Sequence, residues 1–292
     1  MVLRVLFTLL LLTITAQATS QQLGDEAYGI LKSALMYDAS YPLNARSAGS
    51  FEESGVTVEN IVFDSFHHGS VPGILSLPTK GEGPFPVVML MHGLTSEKSA
   101  WLEDGFNHGS LVLKGLNEKG YAVMALDAQY HGDRAIYNDF INPGEMVFKK
   151  NWFIRYSNMM TQTIVDYRRA IDYLASRNDI DINRVGILGY SMGGHMTFLL
   201  AASEPRVKTI VGCVVPETPG LPISASAFIR DLNNKPLLMM MATKDQYYSV
   251  DSAQNLFDSI PGDSKTLRFF ESGHSLPPEY AREATDWIAK HL

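Results

Sequence analysis

Three side chains in this sequence have the types and the chain order that nucleophilic acyl transfer needs: Ser191, Asp245 and His274. Ser191 lies in Gly189-Tyr190-Ser191-Met192-Gly193, a G-x-S-x-G pattern. A serine hydroxyl is a weak nucleophile until a base removes its proton. Of the eight histidines, His274 is the best candidate for that base, because it directly follows the last apolar run, in Glu271-Ser272-Gly273-His274-Ser275. His291 lies next to the last residue, His195 falls inside the segment after Ser191 as a packing residue, and His67 and His68 sit in a hairpin loop. The base in turn needs an acid to fix its tautomer and stabilise its cation. Asp245, in Ala242-Thr243-Lys244-Asp245, fits that role, with Glu217 and Asp251 as rivals. An oxyanion also needs donors, and the backbone N–H groups of Met192 and Leu94 are the candidates. Leu94 is presented by the turn His92-Gly93-Leu94-Thr95-Ser96, in which His92 itself reads as structural. Losing one such donor typically costs about 3 kcal/mol of transition-state stabilisation.

These residues are far apart in sequence, so the elements around them must bring them together. Apolar runs at 58–66 and 71–77 predict an antiparallel strand pair joined by His67-His68-Gly69-Ser70. Further strands are expected at 86–91, 122–128, 184–189, 209–215, 237–242 and 266–270. Helices are expected at 109–119, 157–176, 192–202, 252–259 and 278–291, with a short one near 25–36. Strands alternating with helices imply an α/β protein with a mostly parallel central sheet and helices on both faces, preceded here by the antiparallel N-terminal strand pair. Such sheets carry their chemistry at the carboxyl ends of the strands. That rule selects the loops after Met91, Ala128, Gly189, Ala242 and Phe270, all of them polar or glycine-rich. Ser191 falls at a strand–turn–helix junction, where Gly189, Gly193 and Gly194 let the helix press against its neighbours and the helix N-terminus favours developing negative charge.

Other residues bear on what the site accepts. Residues 135–156 form the longest irregular stretch and read as a short insertion leaning over the site, carrying Tyr137, Phe140, Phe148, Trp152, Phe153 and Tyr156. Trp101, Trp152 and Tyr247 are candidate aromatic walls of a substrate pocket. Arg134, in His131-Gly132-Asp133-Arg134, has two readings. It binds a substrate carboxylate through its planar fork, or it pairs with Asp127 or Asp133 and braces its loop.

Composition narrows the class of partner. The 292 residues carry a formal net charge of −7, which argues against nucleic acid, since phosphate binding needs a basic face. Residues 1–18 read as a signal peptide: Arg4, an apolar run over 5–14, and Ala16-Gln17-Ala18 as the cleavage site. The run is too short to span a bilayer. The expectation is therefore an exported protein, periplasmic or secreted, without stable membrane insertion after cleavage. A polar segment, 19–55, is expected to pack on the main domain, 56–292. Cys213, the single cysteine, lies in an apolar run and reads as a buried, inert thiol. No metal-ligand spacing or phosphate-binding glycine loop occurs, so neither metal nor other cofactor is expected. The oligomeric state is left open.

Taken together, His92-Gly93-Leu94, Asp127 with His131-Gly132-Asp133-Arg134, Gly189 to Gly194, Asp245 and Gly273-His274 resemble the α/β-hydrolase superfamily. Within it the chain is similar to small single-domain esterases of the dienelactone-hydrolase and acyl-peptidase-like groups, over roughly residues 58–292. The resemblance implies the α/β-hydrolase fold, a Ser-Asp-His triad, no cofactor and a small-molecule ester substrate. A serine stands where true dienelactone hydrolases carry a nucleophilic cysteine. A peptidase or amidase of the same fold, and a non-catalytic binding module, are the alternative readings.

Overall fold

A computed structural model of the chain describes residues 23–292 other than 54, 68 and 219. The expected signal peptide lies outside the described residues, as does His68. In chain order the elements are α1 (Asp25–Ser33), β1 (Arg46–Glu53), β2 (Val56–Asp64), β3 (Ser70–Ser76), β4 (Phe85–Met91), α2 (Gly109–Glu118) and β5 (Ala122–Leu126). They continue with α3 (Pro143–Phe148), α4 (Phe153–Ala175), β6 (Ile180–Tyr190), α5 (Met192–Ser203), β7 (Val207–Cys213), β8 (Leu237–Ala242), α6 (Val250–Ser259), β9 (Lys265–Phe270) and α7 (Glu279–His291). Short 3-10 turns occupy Lys98–Trp101, Gly132–Asn138 and Ala225–Asp231.

The nine strands form one sheet in the order β1-β2-β3-β5-β4-β6-β7-β8-β9. The β1, β2 and β3 pairings and the β3–β5 contact are antiparallel, and every pairing from β5 through β4 to β9 is parallel. The central strands β4, β5 and β8 and the carboxyl-terminal half of β6 are apolar because both faces are covered, whereas the edge strand β9 alternates between half-buried and exposed residues. Alternate residues serve opposite cores: Val87, Met89 and Met91 join the layer containing α4, α5 and α6, whereas Val88 and Leu90 join the layer containing α2 and α7.

Two regions differ from the sequence expectation. β1 adds a strand within the segment expected to be merely polar; all eight of its residues are exposed, so no alternation marks it. The stretch 135–156 contains α3 and the start of α4. α4 begins at Phe153 rather than 157; Phe153 and Ile154 are exposed, so no inward-facing stripe marks the first turn in the sequence. The N-terminal part is fastened by specific bonds. The Tyr28 hydroxyl donates to Asp231 (2.9 Å), and Arg169 donates to the carbonyls of Tyr41 (3.2 Å), Pro42 (2.9 Å) and Asp64 (3.0 Å).

Candidate active site

Ser191 stands between β6 and α5 with φ 56° and ψ −118°. That is a left-handed, strained backbone for a residue with a Cβ, of the kind that costs about 1–3 kcal/mol. The glycines around it are dictated by close approach. A Cβ on Gly193 would collide with the Met91 carbonyl, one on Gly189 with the Gly193 carbonyl, and one on Gly194 would lie 2.6 Å from the Cys213 carbonyl oxygen. Such crowding holds the turn sharp, and the Ser191 N–H donates back to Cys213 O at 2.9 Å. The loops leaving β4, β5 and β7 also each contain a non-glycine residue at positive φ: Thr95 (68°), Tyr130 (71°) and Val214 (44°). Strain is thus gathered along the carboxyl rim of the parallel strands.

On that rim three side chains meet. The Ser191 hydroxyl lies 2.7 Å from His274 Nε2, and His274 Nδ1 lies 2.6 Å from Asp245 Oδ2. Asp245 accepts only, so His274 carries its proton on Nδ1 and leaves Nε2 free to accept from the serine. The Asp245 side chain is sealed from solvent and its second oxygen accepts from the Tyr247 N–H at 2.9 Å. Two backbone bonds bind the Asp245 loop to the His274 loop: Thr243 N–H to Phe270 O and Lys244 N–H to Ser272 O, both 2.9 Å. Tyr190 fixes the far side of the histidine loop. Its hydroxyl donates to His274 O (2.9 Å) and accepts from Leu276 N–H (2.8 Å). Burial, the largest influence on that phenol, raises its pKa and keeps it protonated.

The oxyanion candidates face the same space. Leu94, Met192, Ser191 and His274 line one cavity of about 840 Å³. Gly93 brings the Leu94 turn close, since a Cβ there would sit 3.4 Å from Ser191 Cβ. Met192 N–H is the first of α5, where helix geometry supplies no acceptor. His92 braces this turn from behind. It accepts from Ala128 N–H at Nε2 (3.0 Å) and donates from Nδ1 to Gly93 O (2.8 Å), with burial holding its pKa down.

The remaining candidates separate. Tyr247 lines the cavity; its ring lies 4.7 Å from the His274 ring and stacks on Phe148 at 6.0 Å. Trp101 is fully buried in the core beside α2 and is no pocket wall, which corrects the expectation drawn from it. Trp152 is also absent from the lining; it lies on the surface between Lys150 (4.8 Å) and Arg155 (5.5 Å). Arg134 is buried against Asp166 at 2.8 Å and donates to Asp127 O at 3.2 Å. It braces its loop, though through Asp166 rather than the carboxylates of Asp127 or Asp133. Asp127 accepts from Lys98 Nζ (2.8 Å), Lys98 N–H (2.9 Å) and Asp133 N–H (3.0 Å). His195 donates to Ile223 O, and Glu217 lines the cavity without reaching His274.

Sequence reading missed two neighbours of the base. Phe106, whose ring is 6.1 Å from that of His274, comes from an aperiodic loop that nothing in the sequence ties to residue 274. Tyr190 could have been noticed as the variable residue before the nucleophile. Among the described residues, no group of three or more His, Cys, Asp or Glu side chains is placed to hold a metal, and no helix is long and apolar enough to cross a membrane.

Residues 71–282 match the profile of the dienelactone hydrolase family. A putative hydrolase of Bacillus subtilis (strain 168), YtaP, is 30% identical over 180 residues, covering 58% of this chain and 56% of that protein. A putative carboxymethylenebutenolidase of Yersinia pestis is 22% identical over 76% of this chain and 84% of its own length. The chain spans about half, or less, of the length of several curated relatives that it matches. Among solved structures, an acetyl xylan esterase from Paenibacillus sp. R4 superposes with a TM-score of 0.70 at 18% identity, over 91% of this chain and 93% of that one, a likeness of fold.

Proposed function

We propose that this chain, which belongs to the dienelactone hydrolase family, is a carboxylic ester hydrolase that works through an acyl-enzyme on Ser191. The observation that carries this reading is the unbroken hydrogen-bond chain from Ser191 Oγ through His274 to the sealed carboxylate of Asp245. Ser191 Oγ attacks the ester carbonyl while His274 Nε2 takes its proton. The tetrahedral oxyanion is met by the N–H groups of Leu94 and Met192. His274 then returns the proton to the departing alkoxide, leaving the acyl group on Ser191. Water, deprotonated by the same nitrogen, attacks the acyl carbon, and the acid leaves as Ser191 regains its hydrogen.

The cavity supports a small or medium ester, since its walls combine the apolar and aromatic Leu94, Phe106, Phe148, Tyr156 and Tyr247 with polar groups that include Asn107 and Glu217. Residues 1–18 support an exported protein. The deciding experiment compares p-nitrophenyl esters with matched p-nitroanilides on the mature chain. Esters are expected to turn over at least a hundredfold faster. Comparable rates would make the protein an amidase of the same fold, and no turnover of either would make it a binding module.

A further inference from the structure

Glu217 was a rival for the acid of the triad, and its geometry gives it different work. Beyond β7, Val214 turns the chain at φ 44°, and Pro216, Glu217 and Thr218 then form one wall of the cavity that contains Ser191 and His274. Among the described residues, Glu217 is held there by Ser226 alone. Ser226 Oγ–H donates to its Oε1 at 2.6 Å, and Ser226 N–H points at its Oε2 at 3.3 Å. Each carboxylate oxygen has two acceptor sites, so one on each is left over after Ser226. Burial, the largest influence, raises the carboxyl's pKa, opposed by both bonds from Ser226, and the residue is half-buried in the cavity wall. No lysine or arginine is among the described residues lining the cavity, and its other acidic group is Glu103. Arg134, the cation that sequence pointed to, is sealed behind the loop with Asp166.

The charge of the pocket is therefore negative, with spare acceptors and no cation facing them. A substrate carboxylate brought against this wall would meet a like charge in a poorly screened space, and its oxygens would find no partner. A substrate hydroxyl or ammonium group would supply the hydrogen that the spare lone pairs lack. We propose that Glu217 is the specificity-determining residue of this cavity, selecting esters that carry a hydrogen-bond donor away from the scissile bond and rejecting those that carry a carboxylate there. This inference rests on the ester-hydrolase reading above.

The test uses four p-nitrophenyl esters of matched length: hexanoate, 6-hydroxyhexanoate, 6-aminohexanoate and the monoester of adipic acid. kcat/KM is measured for the wild-type chain and for Glu217→Gln, and ratios are taken within each protein so that any general change in activity cancels. A hydrogen bond to a charged group corresponds to about tenfold or more in such a ratio. The wild-type chain is expected to prefer the amino ester over the adipate by about a hundredfold, with Glu217→Gln narrowing that preference at least tenfold. A matching fall for the hydroxy ester relative to hexanoate assigns the effect to hydrogen bonding; a fall for the amino ester alone assigns it to charge, and both support selection by Glu217. Wild-type protein that cleaves adipate as well as the amino ester overturns the proposal, whether or not the variant folds. So does a ratio that Glu217→Gln leaves within twofold. Failure of the hydrolase reading looks different: none of the four esters is cleaved, and this inference falls with it.

Discussion

β5 and β6 flank β4, and each presents polar side chains at its carboxyl end, a loop after β5 and Ser191 alone after β6, yet the two connections end in opposite states. After β6, Ser191 opens onto a cavity and shares a hydrogen bond with a base on another loop. After β5, Asp127, His131 and Arg134 are buried and turned inward. Asp127 binds Lys98, Arg134 binds Asp166, and His131 bonds Gln129 O at 2.9 Å. Position at a strand's carboxyl end thus selects residues for chemistry only when their partners leave a face open. The β5 loop instead acts as a frame: His92, fixed to Ala128, transmits its rigidity to the turn that presents Leu94.

The comparison breaks if the two loops respond alike to mutation. On the β6 side the largest effect is expected at the acid. Asp245→Asn keeps the fold but removes the acceptor that sets the His274 tautomer, and kcat on a p-nitrophenyl ester should drop about 10⁴-fold with little change in KM. A drop of less than tenfold would mean that the acid is elsewhere. On the β5 side, Arg134→Met strands Asp166 in the interior and should cost about 3–5 kcal/mol of stability in urea unfolding, most of it recovered by adding Asp166→Leu. kcat/KM for small esters should fall less than tenfold in that double variant. A stable Arg134→Met protein with activity gone would return Arg134 to the substrate site.

A smaller effect sharpens the contrast through pH. Burial is the main cause that pushes His131 down to about 3 and His195 down to about 4. Unfolded, each titrates near 6.5, so between those values the unfolded chain binds more protons and stability falls as pH falls. Above about pH 7.5 both are neutral in either state and contribute no slope. Between pH 6 and 4.5, each should contribute about 1.4 kcal/mol of lost stability per pH unit. Urea titrations at several pH values should show the slope reduced by that amount in His195→Gln. An unchanged slope would mean that His195 charges freely in the folded chain.

Much of this molecule was legible from its sequence because the signals were strong and local. The central parallel strands β4, β5 and β8 are uninterrupted apolar runs, and Gly189, Gly193 and Gly194 have a steric reason that survives in any context. Ser191 and His274 followed from their places at strand ends. What the sequence did not disclose was whether a polar residue faces a cavity or a partner. Arg134 had two readings, and the choice depended on Asp166, a residue of α4 that no motif marks. Trp101 looked like a pocket wall because an indole serves a core and a pocket equally well. β1 was missed because an edge strand with both faces exposed has no hydrophobic period. Phe106 reaches His274 through packing between α2, α7 and their loops, a long-range outcome with no trace in either segment.

The central claim is that Ser191 is the nucleophile, and a fluorophosphonate probe tests it most directly. Intact mass and peptide mapping of the treated protein should find one phosphonyl group on Ser191 and none on Ser191→Ala. A modified Ser191→Ala protein, or wild-type protein carrying the group on another residue, would contradict the account.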